Sequence, residues 1–318
     1  MPSSTSSSET AATQRQSRDV YLHWSVRAIL CLVLLCAAVE AVTRLGFSHI
    51  SRRIESRTST DYKAALAIRH GVRQQVLIVG NSLMLEGIDY PLLRESLSGH
   101  ADAVSFPIEQ TQYFDWYYGL RRLFADGSQP DVVVMCMSAE HLVWSSIRGD
   151  YSACYLFLLP DIPQVGRDVH YDLTKTSSLV LARFSLFYAG RGPLRNFVLV
   201  RTDPAYAEML HRISTIPAQF SGNAEMERIA EVRLGLLRDL CAAHGARFIF
   251  LLAPGFGPEE PPLVQAGELS HTDVLVPFHL NELSRDKFRD SFHLNATGAQ
   301  MFTVRVAELL KSRLQSAK

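Results

Sequence analysis

The stretch Gln75–Ser82, QVLIVGNS, constrains the fold more than any other. Val76–Val79 are all branched and apolar, and they run directly into Gly80-Asn81-Ser82. A strand that is apolar at every position must be covered on both faces, which is the signature of a parallel sheet sandwiched by helices. Four more runs repeat the pattern: Ala103–Ile108, Asp131–Ser138, Ala246–Pro254 and Asp273–Phe278. Helical spacing of apolar residues falls between and after them, over Tyr90–Ser98, Phe114–Phe124, Ala224–His244 and about Ala296–Leu314. Gly245 is placed to cap the third of these. Strands alternating with helices predict an α/β sandwich, with any site at the carboxyl ends of the strands. Residues 142–216 break the rhythm and read as an inserted mixed segment over that end.

The N-terminus carries a different signal. Residues 1–25 begin with a Ser-, Thr- and Gln-rich tail that predicts disorder. Val26–Phe47 is apolar enough for a transmembrane signal anchor, although Glu40 and Arg44 lie within it. Four residues apart on a helix, those two can pair, and Arg44 can snorkel to the interface. Arg15, Arg18 and Arg27 would then stay on the cytoplasmic side. Arg52, Arg53 and Arg57 follow the span, so charge alone does not fix the orientation. Cleavage after Ala41 and a buried core helix are the two alternatives. Residues 48–73 read as a polar helical connector, and residues 74–318 as the main domain.

Composition narrows the function. Thirty-two basic residues balance thirty-two acidic ones, which gives no electrostatic reason to expect nucleic-acid binding. The five cysteines have no zinc-ligand spacing, and an odd count argues against a disulfide framework. His271 and His279 have no partner at ligand spacing, so neither metal nor cofactor is expected.

Two short motifs carry chemistry. Ser82 follows a buried strand, so it emerges in the crevice beside the backbone N–H groups of the next helix. Asp290 and His293 lie three residues apart in one loop ahead of the last helix. There an imidazole can take the serine proton while a carboxylate holds its tautomer. Each motif alone also occurs in turns and surface loops without function.

Together, Gly80-Asn81-Ser82 and Asp290-Ser291-Phe292-His293-Leu294-Asn295 with Gly298 resemble the first and last blocks of the SGNH/GDSL hydrolase superfamily. The resemblance implies a three-layer, flavodoxin-like sandwich around a five-stranded parallel sheet. It also implies Ser82 as nucleophile, His293 as general base and Asp290 as its orienting acid. Asn81 replaces the Asp of the usual first block. The middle blocks depart further. The glycine that offers an N–H to the oxyanion is missing from Ser105–Thr111, where Gln110 stands nearest. Ser138-Ala139-Glu140-His141 occupies the place of the block that supplies an Asn side chain. The Glu140 carboxylate would repel an oxyanion, which leaves Gln110, Ser138 and His141 as candidate donors.

An anchor combined with degenerate middle blocks is similar to the membrane-anchored SGNH-like proteins of bacterial exopolysaccharide O-acetylation, the alginate type included. That resemblance implies a single-pass inner-membrane protein with its catalytic domain in the periplasm. It implies acetyl transfer on a polysaccharide, with the acyl group relayed by a multi-pass membrane acyltransferase. A carbohydrate esterase with the same triad and a non-catalytic polysaccharide-binding subunit are the alternatives. Tyr113, Trp116, Tyr117, Tyr118 and Trp144 are candidates to stack on sugar rings, but helical spacing favours core packing for the first four.

Overall fold

A computed structural model describes residues 6–50, 55–206, 208–209, 223–256 and 260–315. Residues 1–5 of the expected tail, 51–54 of the expected connector, and 207 and 210–216 of the expected insertion lie outside these. The chain divides into two compact units, Met1–Ser51 and Arg52–Lys318.

In the first unit, α1 runs from Ser6 to Ile50. It begins well upstream of Val26, so the Ser- and Thr-rich residues from Ser6 onward are helical rather than disordered. Within it, Trp24–Gly46 is long and apolar enough to cross a membrane, 23 residues with none of the window buried. That length spans about 34 Å, against roughly 30 Å of bilayer hydrocarbon. Glu40 Oε1 accepts from Arg44 Nε at 2.8 Å, which neutralises the charges inside the apolar stretch.

The second unit is an α/β sandwich on a five-stranded sheet of order β2-β1-β3-β4-β5, parallel throughout. The strands are β1 Gln74–Gly80, β2 Ala101–Pro107, β3 Val132–Met137, β4 Arg247–Leu252 and β5 Asp273–Leu275. Alternate residues feed two separate cores. Leu77, Val79, Val133, Met135, Phe248 and Phe250 point to one face. Val76, Ile78, Val134, Cys136, Ile249 and Leu251 point to the other. This two-sided demand is why the strands are apolar at every position.

Helices α2 Glu55–Leu66, α5 Tyr113–Ala125, α11 Asn223–Ala242 and α12 Glu260–Leu269 supply the first face. Helices α3 Ser82–Gly87, α4 Tyr90–Leu97 and α13 Ala296–Gln315 supply the second. Trp116 and Phe106 meet edge to face at 5.4 Å, both fully buried. Each such side chain contributes about 2–3 kcal/mol by burial.

Helix α2 falls in the expected connector, yet it packs into the second unit. Ala65 and Thr58 are buried, Thr58 Oγ1 meets the Tyr151 hydroxyl at 3.0 Å, and Ser128 Oγ donates to the Ala65 carbonyl at 2.7 Å.

The described part of the insertion carries helices joined by loops, with α6 Ala139–Val143, α7 Asp150–Tyr155, α8 Ile162–Asp168, α9 Leu173–Phe184 and α10 Leu186–Thr202 between β3 and α11. It is fastened to α5. The Tyr118 hydroxyl donates to Asp168 at 2.6 Å, and Arg121 forms an ion pair with Asp161 at 2.9 Å. Asp115, fully buried, accepts the backbone N–H of Gln112 at 2.8 Å and of Arg148 at 3.1 Å. Burial raises the Asp115 pKa to about 6 despite these bonds.

Candidate active site

Ser82 is the first residue of α3, immediately beyond the carboxyl end of β1. Gly80 is required by packing, since a Cβ there would collide with the Cys136 carbonyl of the neighbouring strand. Asn81 is fully buried and structural: its Oδ1 accepts the Leu83 N–H at 3.0 Å, and its Nδ2 donates to the Thr111 carbonyl at 3.3 Å. The residue before Ser82 thus caps the following helix and ties it to the loop after β2. Ser82 itself is only partly exposed.

Asp290 and His293 sit on a tight loop closed by a bridge between Phe288 and Leu294, with the Arg289 N–H donating to the His293 carbonyl at 2.8 Å. Asn295 anchors its far end. Nδ2 donates to the Asp286 carbonyl at 2.6 Å and Oδ1 accepts the Gly298 N–H at 3.0 Å, as a cap for α13. A Cβ on Gly298 would strike the Lys287 carbonyl, which explains the glycine three residues on. Arg289 bridges this loop to the helix of Ser82, pairing with Glu86 at 2.5 Å and with Asp290 at 3.3 Å.

Asp290 Oδ2 lies 2.9 Å from His293 Nδ1. Asp290 Oδ1 accepts the backbone N–H groups of His293 at 2.8 Å and Phe292 at 3.0 Å. Partial burial alone would raise the Asp290 pKa, but these N–H groups and the imidazole more than offset it and hold it at about 2. The ionised carboxylate takes Nδ1–H, which leaves Nε2 as the acceptor. His293 Nε2 is buried and has no hydrogen-bond partner in the described structure, and the side chain is only 12% exposed.

The end of β3 brings a second histidine to the same place. Ser138 caps α6, and its Oγ lies 2.6 Å from His141 Nδ1. Burial, and then the charge of His293, lower the His141 pKa to about 4. The two imidazoles are therefore electrostatic neighbours although 152 positions separate them in sequence (293 less 141). Glu140 is buried at the start of α6.

Gln110 lies in the loop after β2 with φ of 60°. This left-handed conformation is the one glycine enters without steric cost. Of the aromatics, Tyr113, Trp116 and Tyr118 are buried in the core and cannot meet a sugar. Trp144 remains 36% exposed against His141, and Phe292 39% exposed against His293.

Arg233 of α11 carried no signal in the sequence. It is buried and donates to the carbonyls of Leu142 at 2.7 Å and Trp144 at 2.9 Å and to Ser145 Oγ at 2.8 Å. Those bonds fix the backbone that follows His141. Its guanidinium also lies over the rings of Tyr113 and Phe114.

No family model and no curated protein matches the chain. Among solved structures it is similar to TesA, at 14% identity and a TM-score of 0.38, over 75% of this chain and 99% of that one.

Proposed function

We propose that the chain is a serine enzyme of the SGNH kind that transfers an acyl group through an ester on Ser82. The observation that carries this reading is the Asp290–His293 pair, with His293 Nε2 buried and left without a partner on a loop bound to the helix of Ser82. A bare, buried imidazole nitrogen costs free energy unless a reacting group completes it.

In the proposed reaction Ser82 Oγ attacks the acyl carbonyl and its proton passes to His293 Nε2. Asp290 keeps Nδ1–H in place and stabilises the imidazolium. His293 then returns the proton to the departing oxygen, leaving Ser82 acylated. In the second half His293 takes a proton from the acceptor hydroxyl as its oxygen attacks the acyl carbon, and returns that proton to Ser82 Oγ as the ester bond breaks. Water as acceptor gives an esterase; a sugar hydroxyl gives a transferase.

The oxyanion needs N–H donors in place of the family's Gly and Asn. The Gln110 backbone supports the first, because its left-handed conformation matches what a glycine there would adopt. His141 supports the second. With the Ser138 hydroxyl donating to Nδ1, neutral His141 carries its proton on Nε2, and its lowered pKa keeps it neutral near pH 7. A neutral donor beside His293 avoids placing two positive charges together once His293 is protonated. Glu140 takes no part in this donor set.

We further read the acceptor as a glycan of an exported bacterial polysaccharide, with the domain on the periplasmic side of an inner-membrane anchor. Trp144 and Phe292, exposed against the two histidines, support a site that stacks on sugar rings. A multi-pass membrane acyltransferase would supply the acyl group. The test is to incubate the full chain in detergent with an activated acetyl ester, with and without an oligosaccharide acceptor. Acetylated sugar identifies a transferase, and acetate alone identifies an esterase. Binding of oligosaccharide with no turnover of any ester would identify a binding subunit and reject the enzyme.

A further inference from the structure

Helices α9 and α10 present a surface that the proposed chemistry does not use. From Leu173 to Thr202 the chain carries five basic residues and no acidic one, although the whole chain is neutral. The same segment exposes large apolar side chains. On α9, Leu173, Leu181 and Phe184 lie zero, eight and eleven positions along, which returns them to one side of the helix. Leu181 is 55% exposed and Phe184 65% exposed.

On α10, Phe187, Arg191, Arg195, Val198 and Arg201 fall within an arc of roughly 120° at 3.6 residues per turn. All five are exposed. Arg191 also pairs with Asp150 at 2.6 Å and lies over the Tyr188 ring at 3.8 Å, which holds it in place. Leu181, Phe184 and Phe187 continue the apolar surface across the corner at Ser185, whose Oγ accepts the Tyr188 N–H at 3.1 Å. Apolar side chains interleaved with arginines, with no acid in either helix and Asp150 beside Arg191 alone, form the pattern of a helix that lies in a membrane interface.

We propose that α9 and α10 rest on an anionic phospholipid leaflet. Charge complementarity selects that occupant: arginines meet lipid phosphates while Leu181, Phe184, Phe187 and Val198 enter the acyl boundary. Chain length permits it. The apolar span ends at Gly46 and the second unit begins at Arg52, so only five residues lie between them in the sequence. The docking does not depend on whether Ser82 is a nucleophile. It would hold the unit in one orientation on the bilayer.

The test is hydrogen–deuterium exchange on the full chain in lipid nanodiscs, comparing phosphatidylcholine alone with phosphatidylcholine containing phosphatidylglycerol. Amides of residues 173–202 should exchange several-fold more slowly in the anionic discs, and high salt should remove the difference. The paired variants Arg195→Glu with Arg201→Glu, and Phe187→Ser with Val198→Ser, should each abolish it. Unchanged exchange in β3 and β4 of the same samples shows that the variants remain folded. Equal exchange in both lipids would overturn the proposal. So would protection that appears only with a co-purifying membrane protein, which would assign the surface to a protein partner.

Discussion

Asp290, His141 and Gln110 each depart from their ordinary behaviour in a way that can be measured. Asp290 is ionised down to a pKa of about 2, so it orients His293 across the working pH range. Asp290→Asn should lower kcat by about 10³–10⁴-fold through the wrong imidazole tautomer, with KM little changed. Steady-state kinetics on an activated ester would show it; an unaffected kcat would remove Asp290 from the proposed triad. His141 makes a second prediction. Its folded pKa of about 4 lies below the ordinary 6.5, so the unfolded chain binds the proton more tightly between these values. Stability contributed there falls as the pH drops from about 6.5 to 4, by roughly 3 kcal/mol at the limit. Asp115, with its pKa raised from 3.8 to about 6, works in the opposite direction, losing stability as the pH rises through that window. The contrast to measure is therefore the denaturation profile of wild type against His141→Gln, in which the variant loses less stability on acidification. Parallel profiles would contradict the buried, neutral His141. At Gln110, Gln110→Gly keeps the backbone N–H and relieves the left-handed strain. It should leave activity intact and change stability by about 0 to +1 kcal/mol.

Elements built from strong local signals were legible before the fold was known. β1, β3 and β4 are apolar at successive positions because both faces are covered, and the terminal loop is written in Asp290, His293, Asn295 and Gly298, each with a separate steric or hydrogen-bonding task. Other elements were not. Among its described side chains, helix α2 buries Thr58 and Ala65, so its sequence reads as a polar connector. The polar residues from Ser6 onward read as disordered because their composition carries no apolar face, yet they belong to α1. The helices of the insertion are short and are held in part by polar contacts with one another, such as those of Ser178 with Asp150 and Tyr188, which no local pattern announces. Arg233 has the look of a solvated helix residue, and only the fold places it under the backbone after His141. Arg233→Met should therefore destabilise the protein by at least about 2 kcal/mol, since three acceptors lose a charged donor. Chemical denaturation would show this, and a change smaller than the error of the measurement would mean that Arg233 does not lock that loop.

Across the whole molecule, the order of the strands does what no local pattern can. β1 delivers Ser82, the loop after β2 delivers Gln110, β3 delivers Ser138 and His141, and the chain past β5 returns with Asp290 and His293. The electrostatic influence of His293 on His141 is invisible in sequence because it depends on that order. The Asp–His loop, by contrast, needed no long-range knowledge, as its partners are three residues apart. The measurement that bears most directly on the proposed chemistry is the mass of the intact protein, followed by peptide mapping, after brief exposure of the full chain to an activated acetyl ester. The proposal predicts one acetyl group on the peptide containing Ser82, absent from Ser82→Ala and reduced in His293→Ala, which lacks the base that takes the Ser82 proton. Acetylation at another residue, or turnover that persists undiminished in Ser82→Ala, would contradict it.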